Sequence, residues 1–383
     1  MLVAKKCEPE EEAKTVIAVL KRLPKTLAEA RAFASSIRNS KDDLENESLS
    51  VRVFPYLKLK KNINNWFKWI SVNNLDLIEI LEELLSLRKL TKLSSVSSII
   101  RGYELRSGLV QKLIINTSGE RAFKSEDIWI LTNKTDEDVE FRHKFLSELK
   151  FKAPRICLER TLRRAAGIDK IDITTELDYV IIKPWDEKIF KKFEKIIRVK
   201  LSGAILDSIE RDIQRRKSHL FVVRRLDLSA PRTYALAFYS QKPAAPVKLL
   251  WSLKCNAEDA KIINLFLNST INLLQVLLQR AETRGAFIGL PEYILQDFSI
   301  PDPSSLSIKE RGVLISLFER VKDVRLPSIL EQLRTKHPVR RSIDRAWLKV
   351  LGYKGDADSL LDKLYKSLAD EILLLKRLMK EGV

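Results

Sequence analysis

The apolar positions of the first 90 residues predict both a strand and helices. Helix-like spacing holds for Val16, Ile17, Val19, Leu20, Leu27, Ala30 and Ala34, as expected of an amphipathic helix. Residues 48–59 predict a strand, because Val51 and Val53 alternate there with polar neighbours. Residues 75–87 predict an amphipathic helix, since their leucines and isoleucines fall on one helical face.

The middle of the chain changes to short β-branched runs separated by Gly, Asn, Asp and Pro. These runs predict strands at residues 113–115, 128–131, 156–158, 171–173, 179–182, 220–223 and 234–239. A basic helix is predicted between them, over residues 187–210. The pattern indicates a mainly β region with irregular loops.

Helical periodicity returns after residue 256. Helices are predicted over residues 260–284, 307–320, 326–336, 343–351 and 357–380. Ser307 and Glu310 have the spacing of a capping box, in which two side chains satisfy free amides at a helix start. The whole pattern predicts an α+β fold, with a mainly β domain over residues 91–255 between residues 1–90 and a helical region over 256–383.

Charge adds a class of partner to this picture. The 383 residues carry 69 Lys and Arg against 51 Asp and Glu, a formal net charge of +18. Such an excess favours a polyanionic partner, and nucleic acid is the commonest one. The alternative interpretation is a solvated cationic surface in a cytosol where basic proteins are common.

Several other classes of function find no support in the residues. The cysteines lack metal-ligand spacing and fit free thiols in a reducing, cytoplasmic setting: Cys7, Cys157 and Cys255. The histidines are too dispersed for a metal site: His143, His219 and His337. Acid–lysine pairs suitable for a metal-dependent nuclease occur no more often than this composition produces by chance. No stretch of about 20 apolar residues predicts a membrane span.

Basic residues grouped along the chain are the candidate DNA contacts. The predicted set is Arg101, Arg106, Arg121, Arg155, Arg160, Arg163, Arg164, Lys191, Lys192, Lys195, Arg215, Arg216 and Arg284. Arginine can clamp phosphates or read guanine bidentately, and a lysine-rich helix face can follow a phosphate backbone. Ordinary surface charge is the competing interpretation for each of them.

Five segments, taken in their order along the chain, carry a family resemblance. They are Ile99-Ile100-Arg101-Gly102-Tyr103, Leu267-Asn268-Ser269, Arg284-Gly285-Ala286-Phe287-Ile288, Phe298-Ser299-Ile300-Pro301, and Arg341-Ser342-Ile343-Asp344-Arg345-Ala346-Trp347. Together they resemble the C-terminal, target-recognition half of the N6-adenine DNA methyltransferases of restriction–modification systems. Residues 1–6 resemble a late strand of the methyltransferase domain, so the resemblance implies that residues 1–90 are a remnant of that domain. It implies a target-recognition domain over 91–255.

The catalytic signature of that family, Asn-Pro-Pro-Tyr, is absent from the sequence, as is a glycine-rich nucleotide loop. In the family this tetrapeptide holds an adenine that has been extruded from the duplex. The resemblance therefore implies double-stranded DNA as one partner and, as the other, a separate methyltransferase chain that binds S-adenosylmethionine. No catalytic, cofactor or metal residue is expected here, and the chain is not expected to be an active enzyme alone. Two alternatives stay open: a stand-alone DNA-binding specificity protein of a defence complex, and, with less support, an RNA-binding scaffold.

Overall fold

The computed structural model describes residues 12–60, 74, 76–87, 89–104, 108–117, 127–279, 281–284 and 287–381. The fold is α+β, as predicted, and combines mixed β-sheets with helices. Most helices lie after residue 256, and most strands lie between residues 90 and 254.

The strands vary from two to ten residues in length. They are β1 Lys14–Leu20, β2 Leu44–Glu45, β3 Leu49–Pro55, β4 Leu90–Lys92, β5 Ser98–Arg101, β6 Ile114–Asn116, β7 Trp129–Lys134, β8 Asp138–His143, β9 Lys150–Pro154, β10 Leu158–Leu162, β11 Asp178–Ile181, β12 Ser218–Val223, β13 Arg225–Asp227, β14 Ala237–Pro246, β15 Leu250–Lys254, β16 Ala281–Arg284, β17 Phe287–Gly289 and β18 Ser299–Pro301.

The helices are longest at the end of the chain. They are α1 Leu27–Asn39, α2 Tyr56–Lys60, α3 Asp76–Leu85, α4 Leu93–Val96, α5 Glu187–Ile197, α6 Gly203–Arg216, α7 Ala257–Leu267, α8 Thr270–Gln279, α9 Glu292–Gln296, α10 Ile308–Val321, α11 Ile329–Arg334, α12 Pro338–Leu351 and α13 Ala357–Glu381. Short 3₁₀ turns occupy Val110–Leu113, Arg155–Cys157 and Pro303–Ser305.

A ten-stranded sheet runs through the middle of the molecule, in the order β5-β15-β12-β14-β10-β11-β6-β7-β8-β9. Part of this sheet must curl. Pro154 ends β9 and Leu158 begins β10, and four residues of chain reach at most about 14 Å. In a flat sheet the same two strands, five positions apart in that order, would be about 24 Å from each other. The curl brings the turn between β7 and β8 towards β10.

Two hydrophobic cores share this sheet. The first core combines β12, β14 and β15 with α3, α7, α8 and the C-terminal helices. The second is rich in aromatic side chains, and Trp129 is at its centre: its ring stacks on Phe193 at 5.1 Å and meets Phe141 and Phe151 edge-on at 5.4 Å. Apart from Tyr103, Ala245 and Val247, the buried residues of the second core lie between residues 110 and 213.

The prediction of one long apolar helix over residues 260–284 is wrong. The structure has two helices, α7 and α8, bent by 68°, and β16 follows them. The break is at Asn268 and Ser269, where the Asn268 side chain accepts from the backbone N–H groups of Leu236 (2.9 Å) and Ala237 (3.2 Å). Both helices are buried on nearly every side, so the sequence shows no change of periodicity at the bend.

A buried polar network ties the bend to the C-terminal helices. Asp344 on α12 accepts hydrogen bonds from the Thr270 N–H (2.7 Å), the Thr270 hydroxyl (2.6 Å) and the Tyr365 hydroxyl (2.7 Å). Arg340, one turn earlier, donates to the carbonyl of Asn268 at 3.2 Å. Burial raises the pKa of Asp344, and the positive charge of Arg340 opposes that rise. The carboxylate therefore binds the first residue of α8 to two other helices.

Other elements differ from their predictions for identifiable reasons. Residues 14–20 form β1 rather than a helix, because their β-branched side chains pair in antiparallel register with β3. The basic helix ends at Ile197, where Arg198 takes a left-handed conformation (φ 53°), and α6 begins at Gly203. Residues 171–173 form only a single bridge, between Asp172 and Tyr239. The helix predicted at 75–87 is confirmed as α3, and the strand predicted at 48–59 is confirmed over residues 49–55.

The predicted capping box starts α10. The Ser307 side chain accepts from the Glu310 N–H, while the Glu310 carboxylate accepts from the Ser307 N–H at 2.8 Å. Glu310 also forms an ion pair with Lys89, which precedes β4. The hydrogen bond from Lys89, followed by those from Ser307, lowers the pKa of Glu310 from its ordinary 4.5 to about 2.

Because of this pKa shift, the free energy of unfolding depends on pH within a defined window. Because the folded-state pKa is depressed, the contribution of Glu310 is complete above about pH 4.5 and is lost as the pH falls towards 2. We expect Glu310→Gln to be less stable than the wild type at pH 6, with the difference shrinking between pH 4.5 and 2. Urea unfolding across this pH range measures the difference in the free energy of unfolding. Asp370→Asn, on the exposed side of α13, is the control. A difference that is constant with pH would contradict the assignment.

Among the described residues, no single helix is long and apolar enough to cross a membrane, although the bent pair α7–α8 satisfies both criteria when taken together.

Candidate nucleic-acid interface

The predicted basic residues fall into distinct environments. Arg155 and Arg160 line one pocket, Arg101 and Arg216 meet at the β5 end of the large sheet, and the lysines of α5 lie on its exposed face. Arg106 and Arg121 lie outside the described residues. Arg284 lies in β16, but its side chain is also outside the described part of the chain.

Arg163 has a different position from the one predicted. Its side chain is only 3% exposed and forms ion pairs with Asp127 and, through Nε at 3.3 Å, with Asp178. Burial raises the pKa of Asp178, and the Arg163 charge opposes this rise. Asp178 also accepts from the Thr117 N–H at 2.8 Å. The DNA contact predicted for Arg163 is therefore corrected, because its guanidinium is enclosed and neutralised inside the second core region.

Arg164, the next residue, is half-buried. Its Nη2 atom is buried and has no hydrogen-bond partner among the described residues. Burial lowers the pKa of this arginine, which reflects incomplete solvation of its charge. Because the side chain is already partly enclosed, it offers less surface to a large partner than the exposed lysines do.

The β5 end of the large sheet collects several cations, but most of them are already paired. Arg216 donates through Nε to the carbonyl of Arg101 at 2.9 Å and forms an ion pair with Asp212. Glu104 accepts from both Arg101 (2.7 Å) and Lys248 (2.9 Å). These local carboxylates neutralise the cluster, so its charge is less available to an external anion.

The outward faces of α5 and α6 keep more of their charge. The apolar face of α5 is buried in the second core through Phe190 and Phe193, so Lys192 and Lys195 face solvent. In the described part of the chain neither lysine has an ion-pair partner, whereas Lys191 pairs with Glu187 at 2.6 Å. Arg215, on the exposed side of α6, is likewise unpaired among the described residues. Such free cations are suited to contact phosphates without selecting a sequence.

A pocket of about 520 Å³ lies beside β10, and its wall includes Arg155 and Arg160. The curl of the sheet supplies one other wall, with Lys134 and Asp136 from the end of β7 and the turn after it. Lys242 comes from β14, the neighbour of β10 in the sheet. Arg155 is fixed at the start of its 3₁₀ turn, where its N–H donates to the carbonyl of Glu137 at 2.7 Å. Arg155 and Arg160, two predicted residues that are five positions apart in sequence, thus line the same pocket.

The pocket is strongly cationic. Lys134, Arg155, Arg160 and Lys242 face a single acidic side chain in its wall, Asp136. None of these cations has an ion-pair partner among the residues that the structure describes. The Arg155 guanidinium lies 4.6 Å from the ring centroid of Tyr179, which is opposite Arg160 in the β10–β11 register. The arrangement can bind an anion, since uncompensated charge in a concave site attracts one.

Lys134 and Lys242 were not among the predicted contacts. Lys242 lies in a bulge of β14, where the register with β12 shifts between Ser218 and Leu220. A bulge redirects side chains away from the regular alternation, and Lys242 is exposed as a result. The approach of both lysines to Arg160 depends on strand order, which the local sequence does not encode.

The described residues contain no group of three His, Cys, Asp or Glu side chains that could hold a metal ion. Cys157 and Cys255 are free thiols there, and burial raises the pKa of both. These thiols are therefore protonated at neutral pH and unreactive as nucleophiles.

Comparisons with known proteins identify a similar fold. No family model matches the sequence, and no curated protein matches it. Among solved structures, the type IIG restriction endonuclease BpuSI superposes with a TM-score of 0.59 at 15% sequence identity. The similarity covers 94% of this chain and 40% of that protein. The chain therefore corresponds to about two fifths of the endonuclease and shares its fold over that part.

Proposed function

We propose that this chain is the DNA target-recognition part of an adenine-specific DNA methyltransferase of a restriction–modification system. The observation that carries the proposal is the fold similarity to a type IIG restriction endonuclease over 94% of this chain. The order of the motif segments around Ile99–Tyr103 and Leu267–Ser269 supports the same family. A net charge of +18 supports double-stranded DNA as the partner.

In this proposal the chain binds the duplex and the methyl transfer is carried out elsewhere. The sequence contains no Asn-Pro-Pro-Tyr and no glycine-rich nucleotide loop. S-adenosylmethionine and the extruded adenine would therefore be held by a methyltransferase chain or segment that carries those motifs. The exposed cations of α5 and α6 would hold the phosphate backbone, which positions the protein on the duplex.

Salt dependence of DNA binding tests the first part of the proposal. Anisotropy of a labelled duplex of about 30 base pairs, measured between about 50 and 200 mM salt, should give an affinity that falls steeply with salt. Five or more phosphate contacts would give a log–log slope steeper than about −4. Lys192→Ala/Lys195→Ala should flatten the slope, while Lys191→Ala, whose partner is Glu187, should change it less. Absence of DNA binding would overturn the proposed function.

Reconstitution tests the second part. The purified chain with duplex DNA and radiolabelled S-adenosylmethionine should transfer no methyl group. Native capture from the host should recover a partner carrying Asn-Pro-Pro-Tyr, and the mixture should form N6-methyladenine only when both components are present. DNA binding without such a partner would favour the stand-alone specificity protein instead. Methyl transfer by this chain alone would contradict the proposal that a separate component carries out the reaction.

A further inference from the structure

The pocket beside β10 has more positive charge than the protein itself neutralises. Lys134, Arg160 and Lys242 have no ion-pair partner among the described residues. Elsewhere on the surface, exposed cations commonly pair with carboxylates, as Lys152 does with Asp138 and Lys183 with Glu210. Several unpaired cations in one concavity repel one another unless an anion occupies it.

Arg155 adds an unfilled hydrogen-bonding position. Its Nη1 atom is buried and has no hydrogen-bond partner in the described part of the chain. A buried donor without an acceptor is costly, and a phosphate oxygen is an acceptor that arginine binds well. The hydrogen bond from the Arg155 N–H to the Glu137 carbonyl fixes the backbone, and the Tyr179 ring centroid lies 4.6 Å from the guanidinium.

The pocket does not have the walls that enclose a nucleobase. Its one aromatic ring, Tyr179, is 5% exposed and is covered by the Arg155 guanidinium. Base-stacking sites need an accessible aromatic face. Thr135 and Thr174 are occupied by bonds within the protein: Thr135 accepts from the Asp138 N–H, and Thr174 accepts from the Gln241 N–H. The recognised group is therefore the anion and not the base.

We infer that this pocket binds a phosphate group of the DNA backbone, held by Arg155, Arg160 and Lys242. The inference rests on the proposed function and assigns one of its contacts. A volume of about 520 Å³ has room for the phosphate together with the sugar attached to it. Asp136 offsets one of the four cations in the wall, and the positive charge that remains attracts a singly charged phosphodiester.

The double substitution Arg160→Ala/Lys242→Ala tests the pocket without disturbing a buried pair. The matched control is Lys309→Ala/Arg320→Ala, which removes the same charge from exposed positions of α10. Duplex affinity at about 100 mM salt should fall roughly tenfold in the pocket variant, and the magnitude of the salt slope should fall by about 1–2. The control should retain the wild-type slope, and both variants should keep the wild-type thermal unfolding curve.

Inorganic pyrophosphate helps to distinguish two occupants of the pocket, a DNA phosphate and a small polyphosphate ligand. Pyrophosphate should raise the unfolding temperature of the wild type and of the control, but not that of the pocket variant. An unchanged DNA affinity in the pocket variant overturns the inference, even if the pyrophosphate shift is lost, because the occupant would then be a small ligand. If the wild type binds DNA and the pocket variant binds it equally well, the proposed function is unaffected. Absence of DNA binding by every protein would remove the proposed function and the inference together.

Discussion

Arg163→Leu is expected to lower the free energy of unfolding by about 3–5 kcal/mol. Asp127 and Asp178 share the single positive charge of Arg163, and all three side chains are at most 5% exposed. Removing the cation leaves two carboxylates facing each other in a medium that solvates charge poorly. One of them must then bind a proton or draw in water, which opens the region around β10 and β11.

Urea unfolding followed by tryptophan emission measures this loss, because Trp129 is fully buried in the neighbouring second core. Arg160→Leu is the matched control: it removes an arginine three positions earlier, from the pocket wall, and is expected to cost less than about 1 kcal/mol. Adding Asp127→Asn and Asp178→Asn to Arg163→Leu should restore part of the loss, since no uncompensated charge is left. Equal losses for Arg163→Leu and Arg160→Leu would show that the buried ion pairs do not matter.

Asp344→Ala is expected to destabilise the helical region by about 3–5 kcal/mol. The substitution removes the acceptor of two bonds from Thr270 and one from Tyr365, and it leaves the Arg340 cation buried without its counter-charge. Because Thr270 begins α8, the bend between α7 and α8 loses its support at the same time.

Hydrogen exchange locates this effect, because faster exchange should appear in α8, α12 and α13 before it appears in β7–β9. Asp344→Asn keeps the shape and one acceptor, so its loss should be smaller than that of Asp344→Ala. Asp370→Ala, at an exposed position of α13, serves as the control and should change stability by less than about 0.5 kcal/mol. Uniform exchange across the whole chain in Asp344→Ala would contradict a local role for this network.

The elements that sequence patterns predicted best have one buried and one exposed face. The helix α3 shows its apolar face as a clear periodicity, and α10 shows its start as Ser307 and Glu310. Periodicity failed where both faces are buried, as in α7 and α8, because every position there is apolar or internally bonded. It also failed at residues 16–20, where β-branched residues at helix-like spacing pair as a strand.

The candidate site was predictable where neighbours in sequence are neighbours in space. Arg155 and Arg160 were both predicted as contacts, and they meet at the pocket because a short turn joins β9 to β10. Arg163 belongs to the same basic run but is directed inwards, and its partner Asp127 is 36 positions away along the chain. Lys134 reaches the pocket because the sheet curls, and Lys242 reaches it because β14 is the neighbour of β10. Both depend on the order of strands that are distant in sequence.

The ten-stranded sheet also defines a unit that could be exchanged between proteins. Strands β6–β11 and helices α5 and α6 form one continuous stretch of chain, inserted between β5 and β12. Within the sheet this insert meets the rest at a single seam, where β10 and β14 pair only through Thr161–Ala245 and Leu162–Pro246. A graft cut at residues 91 and 255 would take β12, β14 and β15 out of the first core. A graft cut on either side of the insert would leave those strands in place and, among the described residues, take only Leu162, Ile168, Ile171, Ile173 and Leu177 out of that core. Diversity in ligand choice can therefore arise by replacing the insert while the helical scaffold is inherited unchanged.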